Sequence, residues 1–310
     1  MSVDGRRVVV TGEALVDLVL GRDGSLAGHP GGGPYNVART IGRLEQPVSY
    51  LGRISTDGFG ARLRGELDAD GVDLGALVAT DAPTTLALAE LDERGAAQYQ
   101  FYALGTSAPG LTEADVRGAL PGDISTFYLG TLGLVFEPIA TTLEAVVASL
   151  GDGTLVALDP NCRPTVIEDA AAYRGRLRRL LARTDVVKAS EDDLAWLDPD
   201  AAPVEAARAL LAVDGAVALV TLGGEGAHVG GGDDEREVAS PRVDVVDTIG
   251  AGDAFGGGFL ARWSELGLGR DDLDDGGSIR DAVAFAIRIA SITCQRPGAD
   301  PPWDAELGPR

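Results

Sequence analysis

The chain has 310 residues, enough for one large α/β domain or two ordinary ones, and its 45% apolar and 24% charged residues exclude a disordered or fibrous chain. Its 26 basic residues against 48 acidic ones give a formal charge of −22, which leaves no basic surface for nucleic acid or an anionic membrane. Two cysteines, Cys162 and Cys294, and two histidines, His29 and His228, are too few for a disulfide framework, a zinc site or most His-based hydrolases.

Arg7–Val10 reads as a buried strand, and after Gly12 a second extended piece runs from Ala14 to Leu20. This opening has no cleavable-signal pattern, because Thr11, Gly12, Glu13 and Asp17 break its apolar run. Val37, Ile41 and Leu44 recur at helical spacing, so Pro34–Leu44 is a predicted helix with Pro34 in its first turn. Val48–Ile54 is a predicted strand, followed by an exposed helix over Gly58–Leu67 that ends near Gly71. Thr84–Leu91 and Ala97–Tyr102 flank Asp92-Glu93-Arg94-Gly95, a hairpin signal. Strands at Ser125–Leu129, Leu155–Leu158, Asp185–Val187 and Val217–Leu222 then alternate with helical stretches 137–149, 169–183 and 203–213. That rhythm predicts an α/β fold: a mostly parallel central sheet flanked by helices on both faces. The pieces near 15–30 and 84–103 fall outside it and read as a small β lid on one domain spanning residues 1–310. Gly230–Glu237 reads as an acidic loop, and Arg270–Gly277 as a solvated connection. No run reaches the about 18 apolar residues of a membrane span. A cytoplasmic enzyme is the expectation. Lys188 is the only lysine, a composition that fits a GC-rich genome or adaptation to salt.

The strongest local signal is Asp247–Phe259, DTIGAGDAFGGGF. Arg242–Val246 is a candidate strand that feeds a helix through the glycines at 250 and 252. Unpaired amides and the dipole at such a helix start attract an anion, most naturally a phosphate. Asp253 would repel that anion unless it has chemical work, and accepting a proton from an attacking hydroxyl is such work. A tight turn capped by Asp253 is the plainer alternative. The segment is neither a P-loop nor a GxGxxG fingerprint.

DTIGAGDAFGGGF closely resembles the C-terminal signature of the ribokinase-like (PfkB-type) carbohydrate kinases. Pro30-Gly31-Gly32-Gly33-Pro34-Tyr35-Asn36-Val37-Ala38 resembles their N-terminal signature, in the family's order and near its usual separation. The resemblance covers essentially the whole chain, from Gly12–Asp17 to a closing GADPP. It implies a ribokinase-like fold with the sugar between the sheet's edge and the lid. Asp17 would accept bonds from sugar hydroxyls, Gly31 and Gly32 would let the backbone meet the sugar, and Asn36 would bind it through its amide. Asp159-Pro160-Asn161-Cys162-Arg163-Pro164 looks like the DPNxRP stretch of fructokinases and sugar-acid kinases, which makes Asn161 and Arg163 candidates for the substrate or phosphate side. Tyr102 would pack on the sugar or serve the lid's own core. Thr221, Gly223 and Gly226, in a stretch resembling the family's nucleotide loop, would line ATP, with Ile287 of a helix over Asp281–Ile292 near the adenine.

Two departures from the family pattern stand out. Ser190-Glu191-Asp192-Asp193 replaces Asn-x-x-Glu, so Asp193 would take over the organisation of Mg²⁺, through water. Lys188-Ala189-Ser190 favours the fructokinase-like branch, with Lys188 and Ser190 on the ATP side. Asp247, Ile249, Thr293, Arg296 and Gly298 match the groups that hold a K⁺-like ion in relatives. The implied activity is ATP-dependent phosphorylation of a sugar's primary hydroxyl, with Asp253 as base and the amides of Gly250, Ala251 and Gly252 stabilising the transferred group. Fructose is the first choice of substrate, followed by 2-keto-3-deoxygluconate, ribose or a nucleoside. Arg39, Arg43 and Arg53 would suit a substrate carrying its own phosphate. A non-catalytic sugar- or nucleotide-binding regulator is the alternative from another class, and a homodimer through the lid is expected.

Overall fold

Val8, Val9 and Val10 are β-branched and fully buried, as a strand covered on both faces requires. They lie in β1 (Arg7–Thr11) of the computed structural model, which describes residues 7–21, 23–91, 97–231 and 236–308. The chain continues through β2 (Leu15–Leu20), β3 (Leu26–Gly31), α1 (Gly33–Arg43), β4 (Val48–Leu51), β5 (Arg53–Ser55), α2 (Gly58–Ala69), β6 (Val78–Thr80), β7 (Leu86–Leu91) and β8 (Ala97–Tyr102). Next come α3 (Glu113–Ala119), β9 (Ile124–Gly130), α4 (Ile139–Ser149), β10 (Leu155–Asp159), α5 (Ala170–Leu181), β11 (Val186–Ser190), α6 (Glu191–Leu197) and α7 (Pro203–Ala209). The last elements are β12 (Val217–Thr221), β13 (Gly226–Gly230), β14 (Arg236–Ala239), α8 (Ala251–Glu265) and α9 (Gly276–Cys294).

Eight strands form the main sheet in the order β14-β13-β12-β11-β10-β9-β1-β4. The six from β12 to β4 run parallel, and β13 and β14 add an antiparallel edge. Side chains alternate across the pleat. Val8 and Val10 therefore join a core with α1, α2, α8 and α9, while Val9 joins a second core with α4, α5 and α7 on the opposite face. This is the ribokinase-like architecture that the sequence resemblance implies. All six parallel strands point their carboxyl ends at one edge, where an open α/β sheet gathers ligand groups.

The remaining long strands build a four-stranded sheet, β3-β2-β7-β8, from the two pieces expected to form the lid. Its root is tied down where the Val16 amide donates to the Thr85 carbonyl at 3.1 Å. Asp17 pairs in register with His29 and Ala87. The expected turn Asp92–Gly95 lies outside the described residues.

Two local expectations fail. Val48–Ile54 splits into β4 and β5, and β5 leaves the main sheet to pair with β6. Arg242–Val246 is not a strand, because β14 already ends the sheet and β propensity without a partner forms no ladder. Val245 and Val246 are more than half exposed, and the Val246 amide donates to the carbonyl of Cys294 at the end of α9.

The arginines that would have held a second phosphate are engaged elsewhere. Arg39 and Arg43 both bond the buried carboxylate of Asp70, and Arg43 also donates to Asp300 and to the Pro301 carbonyl, each at 2.6 Å. Arg53 donates to the Gly110 carbonyl and Thr80 Oγ1. Breaking a buried ion pair costs about 3–5 kcal/mol, so the Arg39 and Arg43 guanidiniums serve the fold, and Arg53 ties β5 to the Gly110 turn.

Candidate active site

The carboxyl ends of β1, β9, β10, β11 and β12, the start of α8 and the inner face of the small sheet enclose a cleft of about 680 Å³. Of the sequence-predicted residues, Asp17, Gly32, Asn36, Asn161, Arg163, Lys188, Ser190, Asp193, Thr221, Gly223, Ile249, Gly250, Gly252 and Asp253 line it. Gly31 lies just outside, packed so closely on the Asp17 carboxylate that a Cβ there would collide with it.

At the helix start, Gly250 caps α8 in the left-handed region, at φ 74°. A Cβ at that position would come within 2.5 Å of the Ala299 side chain, so both conformation and space require glycine. The Ala251 amide donates to the Thr248 carbonyl and Ala251 does not line the cleft, which leaves Gly250 and Gly252 as the loop's cleft-facing members. The Ala251 amide, expected to face the transferred group, is turned to Thr248 instead. Asp253 follows in the first turn, buried, and its Oδ2 accepts the Asn36 side-chain amide at 2.8 Å. Burial pushes its carboxyl up to about 6, against the opposing pull of the Asn36 bond and the Lys188 charge. The Asn36 Oδ1 is buried without a partner.

Next to this pair the cleft is lined by acceptors. Burial raises Asp17 to about 6, with Arg163 opposing. Glu13 is raised to about 7 by burial, even though it accepts bonds from Thr131, Gly33 and Gly133. Glu13 also lines the cleft, a residue of the family-like opening Gly12–Asp17 to which no site role was assigned. Its position just past the end of β1, in a parallel sheet, was the available signal. Tyr102 is 48% exposed and points away; Phe101, its neighbour on β8, lines the cleft instead, because successive strand residues face opposite sides.

On the opposite side Lys188 reaches Asp159 Oδ2 at 2.8 Å, both groups buried. Burial works against the ammonium, but Asp159, and behind it Asp253 and Asp193, hold it above the usual lysine range. Asn161, at φ 35°, turns the chain after β10. Asp193 accepts the Cys162 amide on Oδ1 at 2.6 Å and the Ser190 amide and hydroxyl on Oδ2, while the Asp193 amide donates back to Ser190 Oγ. The pair forms a capping box on α6 that braces the 159–163 turn, with both carboxylate oxygens already occupied. Glu191 and Asp192 are exposed and line the cleft beside that pair. Among the described residues no cluster of three metal-ligating side chains occurs.

Two nucleotide-side expectations are corrected. Gly226 opens β13 where a Cβ would strike the Val238 carbonyl, and it does not line the cleft. Ile287 is 5% exposed in the core beneath α9 and does not line the cleft, whereas Ile249, which is 51% exposed, does. Asp247 accepts the Ile249 amide at 3.0 Å and the Gly298 amide at 2.8 Å, and so ties the loop before α8 to the turn that follows α9.

A carboxylate base at a glycine-rich helix start, facing an acceptor-lined pocket, is the layout of a sugar phosphotransferase. Residues 6–306 match the pfkB family carbohydrate kinases. The chain belongs to that family. It is 35% identical over 259 residues to a fructokinase from Rhizobium leguminosarum bv. trifolii, which covers 82% of this chain and 78% of that protein. The crystal structure of a Xylella fastidiosa fructokinase with bound ATP superposes with a TM-score of 0.85 at 27% identity, covering 94% of this chain and 93% of that one. A Vibrio cholerae fructokinase with fructose, ADP and calcium bound gives 0.83 at 28% identity, covering 95% and 94%. As a PfkB kinase the chain is a phosphotransferase with an alcohol group as acceptor. Among its described residues no helix is long and apolar enough to cross a membrane.

Proposed function

We propose that the chain is an ATP-dependent fructokinase acting on a neutral hexose. The observation that carries this is the acceptor-rich end of the cleft, which Asp17, Asp253 and Asn36, with its unpartnered Oδ1, line beside the cation of Arg163. Hydroxyls donate to such a surface, whereas a carboxylate or phosphate on the substrate would meet like charge. Asp253 takes the proton of the primary hydroxyl as it attacks the γ-phosphoryl. The amides of Gly250 and Gly252 and the Lys188 ammonium stabilise the charge that is transferred, so positioning and electrostatics carry the rate. Asn36 orients both base and sugar. Mg²⁺ carried on ATP neutralises phosphate charge, and Glu191 and Asp192 would hold its water shell. A K⁺ ion would sit with Asp247 and its neighbouring carbonyls. A cytoplasmic enzyme is the matching expectation.

Release of ADP from Mg·ATP tests the assignment across fructose, ribose, 2-keto-3-deoxygluconate, fructose phosphates and nucleosides. Fructose is expected to give the highest kcat/KM, with the sugar acid and the sugar phosphates at least about 100-fold lower, a gap of about 3 kcal/mol. Preference for the sugar acid would overturn the substrate, and silence on every sugar with ATP still bound would favour a regulator.

The small sheet's exposed apolar residues, Leu20, Leu26 and Tyr102, with Leu104 just beyond it, support a homodimer through the lid. Sedimentation at micromolar concentration is expected to give twice the chain mass. A monomer throughout rejects the dimer.

A further inference from the structure

We infer that Glu13 is a positioning residue for phosphoryl transfer, clamping the sugar loop at the start of α1 to the turn that follows β9. Glu13 sits between β1 and β2, where the chain passes from the main sheet to the small one, and is 4% exposed. Its Oε1 accepts the Gly33 amide at 3.3 Å and the Thr131 hydroxyl, and its Oε2 accepts the Gly133 amide at 3.2 Å. One carboxylate thus joins three segments that line the cleft.

Each of the joined segments needs an external partner. The N-cap of α1 is Gly32, which has no side chain to satisfy the first-turn amides. Glu13 supplies that acceptor from across the cleft floor. Thr131 is a β-branched residue at φ 56°, a left-handed conformation that persists only where its surroundings hold it. The Thr131 hydroxyl and the amide two residues on both end on Glu13. Gly32, at φ 110°, also lies so close that a Cβ would stand 2.6 Å from the Glu13 carbonyl.

The consequence reaches the reacting end through α1. Asn36 lies in the helix's first turns, its amide bonded to the Gly32 carbonyl at 2.9 Å, and its side chain holds Asp253 at 2.8 Å. A shift of Gly33 therefore moves both the orphaned Asn36 acceptor and the base. A neutral, shape-filling residue would support the fold at this junction without the cost of burying a carboxylate. What the carboxylate adds is a fixed location for the sugar loop.

The test is steady-state kinetics of Glu13→Gln and Thr131→Val. Glu13→Gln keeps the shape and one acceptor but turns an amide group toward a backbone N–H. Thr131→Val removes one donor to the clamp and leaves Glu13 in place. Read with fructose, the inference rests on the fructokinase assignment; if the wild type phosphorylates a different sugar, that sugar replaces fructose and only the assignment falls. Glu13→Gln is expected to raise the sugar KM at least tenfold with the ATP KM within about twofold, and Thr131→Val to move the sugar KM the same way by less. Sugar and ATP KM rising together, or a lowered Tm with both KM values unchanged, would overturn the positioning role. Should Glu13→Gln fail to fold, Thr131→Val decides alone by the same split.

Discussion

Asp253→Asn is expected to lower kcat by about 10²–10⁴-fold, the usual share of a general base, while ATP affinity stays within a few-fold. The asparagine keeps the shape and retains an oxygen for the 2.8 Å bond from Asn36, so the sugar loop stays in place. What disappears is the one cleft carboxylate in the first turn of α8, directly after Gly252. Single-turnover phosphorylation with saturating Mg·ATP and fructose measures the loss. A rate within threefold of wild type would sink Asp253 as the base.

The same carboxyl sets a pH signature for activity and an opposite one for stability. Asp253 works ionised and burial pushes it up to about 6, so kcat/KM is expected to rise with pH through about 6 and level off above. Asp17, also raised to about 6 by burial, steepens the acid limb. For stability the sign reverses. The folded value lies above the ordinary 3.8, so between the two the folded chain binds more protons than the unfolded one and loses stability as pH rises. Asp253→Asn removes that cost and should be more stable than wild type by on the order of 1–3 kcal/mol at pH 8. The gap should close below about pH 4. Urea unfolding at both pH values measures it, and a variant more stable yet inactive excludes misfolding as the cause of the lost rate.

The parallel sheet was legible because β-branched runs such as Arg7–Val10 and Leu155–Leu158 are buried on both faces and alternate with helical spacing. The glycine-rich start of α8 was legible for a similar reason: close backbone approach leaves no choice of residue at Gly250. Legibility failed where tertiary partners decide. Val245 and Val246 have strand propensity, but the sheet ends before them. Tyr102 and Phe101 are adjacent aromatics on one strand, and only the register of β8 against β7 determines which of them faces the cleft. Arg39 and Arg43 read as a basic cluster until Asp70, about thirty positions away in sequence, is folded against them. Glu13 carries no local motif for what it holds, and the Ser190–Asp193 spacing signals a helix cap but not the bond to Cys162. The partners at Thr131, Gly133 and Cys162 come from other strand ends, and sequence spacing alone does not bring these together.

Lys188→Met is expected to cost both stability and rate, and a double variant separates the two. The Lys188 ammonium lies 2.8 Å from Asp159 Oδ2, and a Cβ at Gly252 would be 2.9 Å from its nitrogen, so the charge packs between a buried carboxylate and the anion loop. Removing it leaves Asp159 buried with only the Asn161 amide at 3.1 Å and the Tyr128 hydroxyl at 3.5 Å. An uncompensated buried charge of this kind costs about 3–5 kcal/mol. Loss of one preorganised electrostatic donor beside a transferring group costs about 10²–10³ in kcat. Adding Asp159→Asn to Lys188→Met removes the stranded charge, so most of the stability should return. The rate should not return, because nothing replaces the cation next to Gly252. Urea unfolding and kcat on the two single variants and the double complete the cycle. If the double variant recovers rate together with stability, Lys188 serves only to neutralise Asp159. If stability returns and rate does not, the ammonium acts on the phosphoryl group itself.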